Sequence, residues 1–99
     1  MRVVADFCVV PIGVGVSLSN YIALCQKVFE EAKLSYELHA YGTNIEGEWD
    51  EVMASLKRCH EILHEAGAPR ISTTVKIGTR TDKDQSLKDK VTVVKELLA

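Results

Sequence analysis

The chain predicts an α+β domain: a four-stranded antiparallel sheet with two helices on one face, followed by a C-terminal helix. Three observations predict it. The hydrophobic period alternates between two residues and the helical repeat in the order β-α-β-β-α-β. Gly42, Gly47, Gly67 and Pro69 fall where those periods change over. The first apolar segment carries apolar residues on both of its faces, which marks a central strand.

Val3 to Val10 is valine-rich and closes at Pro11, a strand signal. Val3, Ala5, Phe7 and Val9 share one face, and Val4, Asp6, Cys8 and Val10 the other. Asp6 is out of place there. A carboxylate in such a strand needs a partner, and a hydrogen-bonded interface residue is the expectation.

Pro11 to Leu18 (PIGVGVSL) reads as a loop into a helix, with Ser17 or Ser19 as the expected N-cap. Gly13 and Gly15 begin like a dinucleotide fingerprint, but Leu18 stands where the third glycine belongs and no parallel βαβ unit surrounds them. Tyr21 to Lys33 is a helix striped by Ile22, Cys25, Val28, Phe29 and Ala32.

Ser35 to Tyr41 alternates as a half-buried strand; Gly42 is read as the turn, and Thr43 to Gly47 as the partner strand of a hairpin. From Glu48 the period becomes helical, with Trp49, Val52, Met53, Leu56, Cys59, Leu63 and Ala66 on one face. Glu48, Asp50 and Glu51 place negative charge in its first turn, and Gly67 is the expected stop. Arg70 to Gly78 alternates cleanly, Ile71, Thr73, Val75 and Ile77 against Ser72, Thr74 and Lys76. Leu87, Val91, Val94 and Leu98 stripe the last helix.

This order defines the ferredoxin-like sandwich, and residues 1–99 are read as one such domain. Its second sheet face is open and here partly apolar, which predicts self-association with a polar pocket at the subunit boundary.

Hydrophobic residues make up 46% of the chain and charged ones 26%, the proportions of an ordinary globular domain. The net charge of −2 provides no basic face, so nucleic acid is not an expected partner. No apolar run approaches the ~20 residues that span a bilayer, so no membrane association is expected. The start of the chain does not read as a signal peptide. Cys8, Cys25 and Cys59 are odd in number and apolar in setting, so reduced, buried thiols and a cytoplasmic location are expected.

Three constellations remain. His60 to His64 (HEILH) matches a zinc-helix pattern, but no third ligand is placed nearby, and boundary or surface histidines are the expectation, with no metal. Thr43, Asn44, Glu46, Glu48 and Trp49 suit a cationic heterocycle, since carboxylates attract its charge and an aromatic face holds a flat ring. Arg70, Lys76, Arg80 and Lys83 form the opposing, anion-reading set. No nucleophile has an evident activating base, so no catalytic residues are assigned and no enzymatic turnover is expected.

Together, PIG…SxS, GTNIEGEWDEVM and RISTTVKIGTRTDKDQSLKDKV resemble the small thiamine-binding-protein family over nearly the whole chain. GTRTDKDQ is most similar to its eukaryotic, fungal-type members, while the GVGVS loop is shorter and more apolar than in many relatives. The resemblance implies a ferredoxin-like fold, a homotetramer built as a dimer of dimers, and a small-molecule site without catalysis. Thiamine or a related pyrimidine is the implied ligand, and no cofactor is required. Carried onto this sequence, the ligand-binding positions are Ser17, Ser19, Thr43, Asn44, Glu46, Thr74 and Lys76, with Glu46 on the pyrimidine or the thiazolium charge. The alternative is an oligomeric regulatory protein that holds sulfate or phosphate through Lys76 and Arg80.

Overall fold

The computed structural model describes residues 1–99. Its elements are β1 (Arg2–Ile12), α1 (Ser19–Glu31), β2 (Ser35–His39), β3 (Gly42–Glu48), α2 (Trp49–Glu65), β4 (Arg70–Gly78) and α3 (Leu87–Leu98). The strands form one antiparallel sheet in the order β2-β3-β1-β4, the ferredoxin-like arrangement.

The alternation read from β1 sets the layers. Val3, Ala5, Phe7 and Val9 are buried beneath α1 and α2, whereas Asp6 and Val10 are exposed on the far face. Ile45 of β3, Val28 and Phe29 of α1, and Val52, Cys59 and Leu63 of α2 complete the core. Phe29 is its centre, with Phe7 edge-on at 5.8 Å and Tyr36 tilted at 5.9 Å between ring centroids. Gly47 makes the tight fit possible, because a Cβ there would lie 2.7 Å from the Leu34 side chain.

Both long helices end in the same way. At α2, Gly67 (φ +106°) lets its own N–H reach the His64 carbonyl and the Ala68 N–H reach that of Leu63. At α1, Lys33 takes the equivalent left-handed position (φ 57°), with Leu34 bonded back to Phe29. This is the Schellman motif twice, once with the expected glycine and once with a lysine.

Four expectations are corrected. β1 continues through Pro11 and Ile12, paired to Ile71 and Arg70 of β4. The proline is tolerated because β3 pairs with β1 only as far as Phe7, leaving that side an edge. Neither Ser17 nor Ser19 caps α1: the N-cap is Leu18, with no side-chain hydrogen bond. The hairpin turns at Ala40–Tyr41, and Gly42 is already the first residue of β3, opposite His39. Finally, Cys8 is only half-buried, although all three thiols are free.

α3 stands apart from this packing. Its first turn is closed by a reciprocal box between Ser86 and Asp89, but none of its residues is buried, and Val91, Val94, Leu97 and Leu98 are exposed.

Candidate functional site: a notch where the first strand outruns the third

Because β1 has 11 residues and β3 only seven, β1 runs on past the β2–β3 hairpin with β4 alone beside it. A cavity of about 1060 Å³ fills the resulting notch, between the free edge of β1 at Cys8–Val10, the first turns of α1, and the hairpin at Leu38–Thr43. Its walls are mostly apolar, with Phe7, Leu18, Ile22 and Tyr41 among them. Polar groups are few: Ser19, Gln26, His39 and Thr43. Apolar walls with a few orienting polar groups are the usual construction of a small-molecule site.

Two of those polar groups are joined. Gln26 Nε2 donates to Thr43 Oγ1 at 2.9 Å, across the gap between α1 and β3. Gln26 Oε1 is enclosed and has no hydrogen-bond partner. His39 is fixed by a contact over the sheet. Its Nε2 lies 2.7 Å from Asp6 Oδ1, and the Tyr41 backbone N–H points at Nδ1 at 3.4 Å, so the proton belongs on Nε2 and is donated to the carboxylate. The pair spans the bare surface of Gly42, where a Cβ would stand 3.2 Å from both Asp6 Oδ1 and His39 Cε1. Asp6 thus has the hydrogen-bonded partner that its sequence position demanded.

Cys25 adjoins the cavity from α1, with Cys59 of α2 behind it in the core. The hydrogen bond from Cys59 holds the Cys25 thiol below the ordinary range, against the opposing effect of burial. The same hydrogen bond, together with burial, pushes Cys59 far above it.

The seven positions carried over from the sequence divide between two faces. Ser19 and Thr43 line the notch, and Ser17 lies exposed in the loop before α1. Asn44, Glu46, Thr74 and Lys76 alternate onto the open face of the sheet, where Lys76 stands opposite Asp6 and Thr74 opposite Cys8. Glu46 is buried there because the chain returns over it. Its Oε2 accepts from the Leu87 backbone N–H at 3.1 Å, with the Arg2 guanidinium 3.7 Å away.

A second, smaller cavity of about 340 Å³ lies beneath the β4–α3 connector, near Arg2, Arg80, Lys83 and Lys90. Arg80 belongs to it and Lys76 does not. Asp82 and Gln85 occupy the Arg80 guanidinium, which in turn holds the Asp82 carboxyl down to about 2. The HEILH histidines are engaged separately: His60 with the Thr73 hydroxyl at 2.7 Å, and His64 Nδ1 with the Ala68 carbonyl at 2.8 Å. No three His, Cys, Asp or Glu side chains converge in a metal-holding group.

Sequence reasoning missed Gln26. Its signal was present: Gln26 falls between Ile22 and Phe29 on the buried stripe of α1, and a polar residue on an apolar stripe needs an explanation.

These features define a class, a ferredoxin-like α+β domain with an apolar side pocket. The model of the thiamine-binding protein family matches residues 5–95, and the chain belongs to that family. A UPF0045 protein of Synechocystis is 56% identical over 98 residues, covering 99% of this chain and 81% of the relative. The UPF0045 protein ECM15 of Eremothecium gossypii is 43% identical, over 100% of this chain and 95% of its own. Among solved structures, hypothetical protein MJ1052 from Methanocaldococcus jannaschii superposes with a TM-score of 0.89 at 32% identity, covering 96% of this chain and 97% of that one. No helix is long and apolar enough to cross a membrane.

Proposed function

We propose that this protein binds thiamine or a related pyrimidine in the notch beside β1, without turnover, and acts in the cytoplasm as a homotetramer. The observation that carries the reading is the cavity of about 1060 Å³, apolar-walled and edged by a few polar groups, in a chain of the thiamine-binding family. Apolar walls take the face of a flat heterocycle, while Ser19, Thr43 and Gln26 supply the directional contacts. The free edge of β1 at Cys8–Val10 adds unpaired backbone groups.

Self-association is supported by the exposed apolar residues of α3 and by Val10 and Ile12 at the end of β1.

A second reading has one observation in its favour. The smaller cavity sets Arg2, Arg80, Lys83 and Lys90 against Asp82 and Asp84, an excess of positive charge that suits a sulfate or phosphate.

Calorimetric titration with thiamine, thiamine diphosphate and sulfate separates the readings. Saturable heat with thiamine, abolished by Ala23→Trp at the cavity wall, is the expected result. Heat from the anions alone, lost in Lys83→Met, would transfer the site to the connector.

A further inference from the structure

Val9 has a backbone N–H and C=O that the sheet leaves unpaired. In an antiparallel sheet both groups of one residue point to the same side, and successive residues alternate sides. The Phe7 carbonyl points toward β3, because a Cβ on Gly42 would stand 2.8 Å from its oxygen. β1 pairs with β4 without interruption from Val4 to Ile12, so the alternation holds and Val9 and Pro11 face the same way as Phe7. Pro11 agrees independently, since a residue without an N–H belongs on an unpaired side.

Continuing the β1–β3 register past Phe7 and Thr43 would set Tyr41 opposite Val9, but the chain turns there and the Tyr41 N–H is directed at His39 Nδ1. No backbone bond outside the helices and strands involves Val9, and the side chains of Gln26 and His39 are engaged with Thr43 and Asp6. Val9 is buried and lines the notch, so its N–H and C=O are a fixed, unmet donor and acceptor at the cavity wall. Backbone groups left unmet away from water are rare, and each calls for a partner.

We propose that the Val9 N–H and C=O are the polar edge engaged by the occupant of the notch, a planar heterocycle with a hydrogen-bond acceptor and donor side by side. The inference rests on the notch being the binding site. An aminopyrimidine meets this edge with a ring nitrogen that accepts from the N–H and an amino group that donates to the C=O. A lactam edge meets it through its carbonyl and ring N–H. A ring with only one of the two groups leaves half of the edge unpaired. Such paired contacts are how side-chain amides read the edge of adenine. An added peptide strand is disfavoured, because Pro11, the next residue on that side, offers no N–H and stops the ladder after one pair.

The test is NMR of the whole chain with thiamine, both labelled with the heavy nitrogen isotope. A hydrogen bond from Val9 to the pyrimidine transmits a scalar coupling between the Val9 amide nitrogen and the accepting ring nitrogen, and that coupling is the expected result. Val9→Pro removes an N–H that the free chain leaves unpaired and should weaken thiamine binding by about tenfold or more. Where Val9→Pro does not fold, the coupling in the wild-type chain decides alone. Saturable binding that is lost in Ala23→Trp but shows no coupling at Val9 overturns the role of Val9 and leaves the notch reading standing. Wild-type affinity in a folded Val9→Pro chain does the same. Binding that survives Ala23→Trp, or no saturable binding at all, removes the notch and this inference together.

Discussion

Glu46 accepts a hydrogen bond from the backbone N–H of Leu87, 41 residues further along the chain, and this contact fixes where α3 begins. The carboxylate is buried on the sheet's otherwise open face, and the helix it anchors buries none of its own residues. Glu46→Ala should therefore release α3 before it disturbs the sandwich. Losing a charged hydrogen bond to a buried group costs about 1–3 kcal/mol. The expected result is faster hydrogen exchange at Leu87–Val91, with exchange in β1 and α2 unaltered. Uniform protection across all three segments would show that α3 is held by something else.

Gly42 occupies a place where no side chain fits. A Cβ there would stand 2.8 Å from the Phe7 carbonyl oxygen, a backbone atom in the centre of the sheet, and would also press on the Asp6–His39 pair. Gly42→Ala must shift the β1–β3 register locally, at a cost of about 1–3 kcal/mol by analogy with overpacked cores. Urea denaturation reads this directly as a lower midpoint at an unchanged slope. A wild-type midpoint would mean that the strands separate there without cost.

How much of this was legible in the sequence depends on the range of the interaction. β4 is legible to the residue, because strict alternation from Arg70 to Gly78 is a local property of a strand with one half-buried face. The layers of β1 and the stop at Gly67 are local in the same sense. Glu46 was read as a ligand contact because nothing near it in sequence announces that α3 returns to cover it. The notch was not legible either, since it follows from β1 outrunning β3, a difference in paired length that exists only once the register is set. Gln26 stands out in the sequence as a polar residue on the apolar stripe of α1, but the partner that explains it, Thr43, comes beside it only in the folded chain.

Lys33 carries a conformation suited to glycine. Its φ of 57° closes the Schellman motif of α1, while its side chain is exposed. The left-handed region costs a non-glycine residue about 1–2 kcal/mol, and glycine's greater freedom in the unfolded chain returns part of that. Lys33→Gly should accordingly stabilise the protein by up to about 1 kcal/mol, which for a domain of this size raises the melting temperature by about 4–8 °C. A calorimetric melt that moves downward would contradict this account of the cap.

The cap of α3 gives the chain a pH dependence with a definite sign. Asp89 accepts from the Ser86 backbone N–H at 3.1 Å, and Ser86 Oγ accepts from the Asp89 N–H at 3.0 Å. The backbone hydrogen bond from Ser86, reinforced by its side chain, holds the Asp89 carboxyl below the usual carboxylate range. Because the folded value lies below the unfolded one, the cap contributes fully above the unfolded value of about 3.9. It is lost as the pH falls through the lower folded value. The backbone chemical shifts of Ser86–Lys90 should thus stay constant from neutral pH down to about 4–5 and move toward coil values below that. Asp89→Asn should abolish this titration in the same residues while leaving those of α2 untouched. Movement of the shifts at higher pH, or their persistence in Asp89→Asn, would assign the transition to another carboxylate.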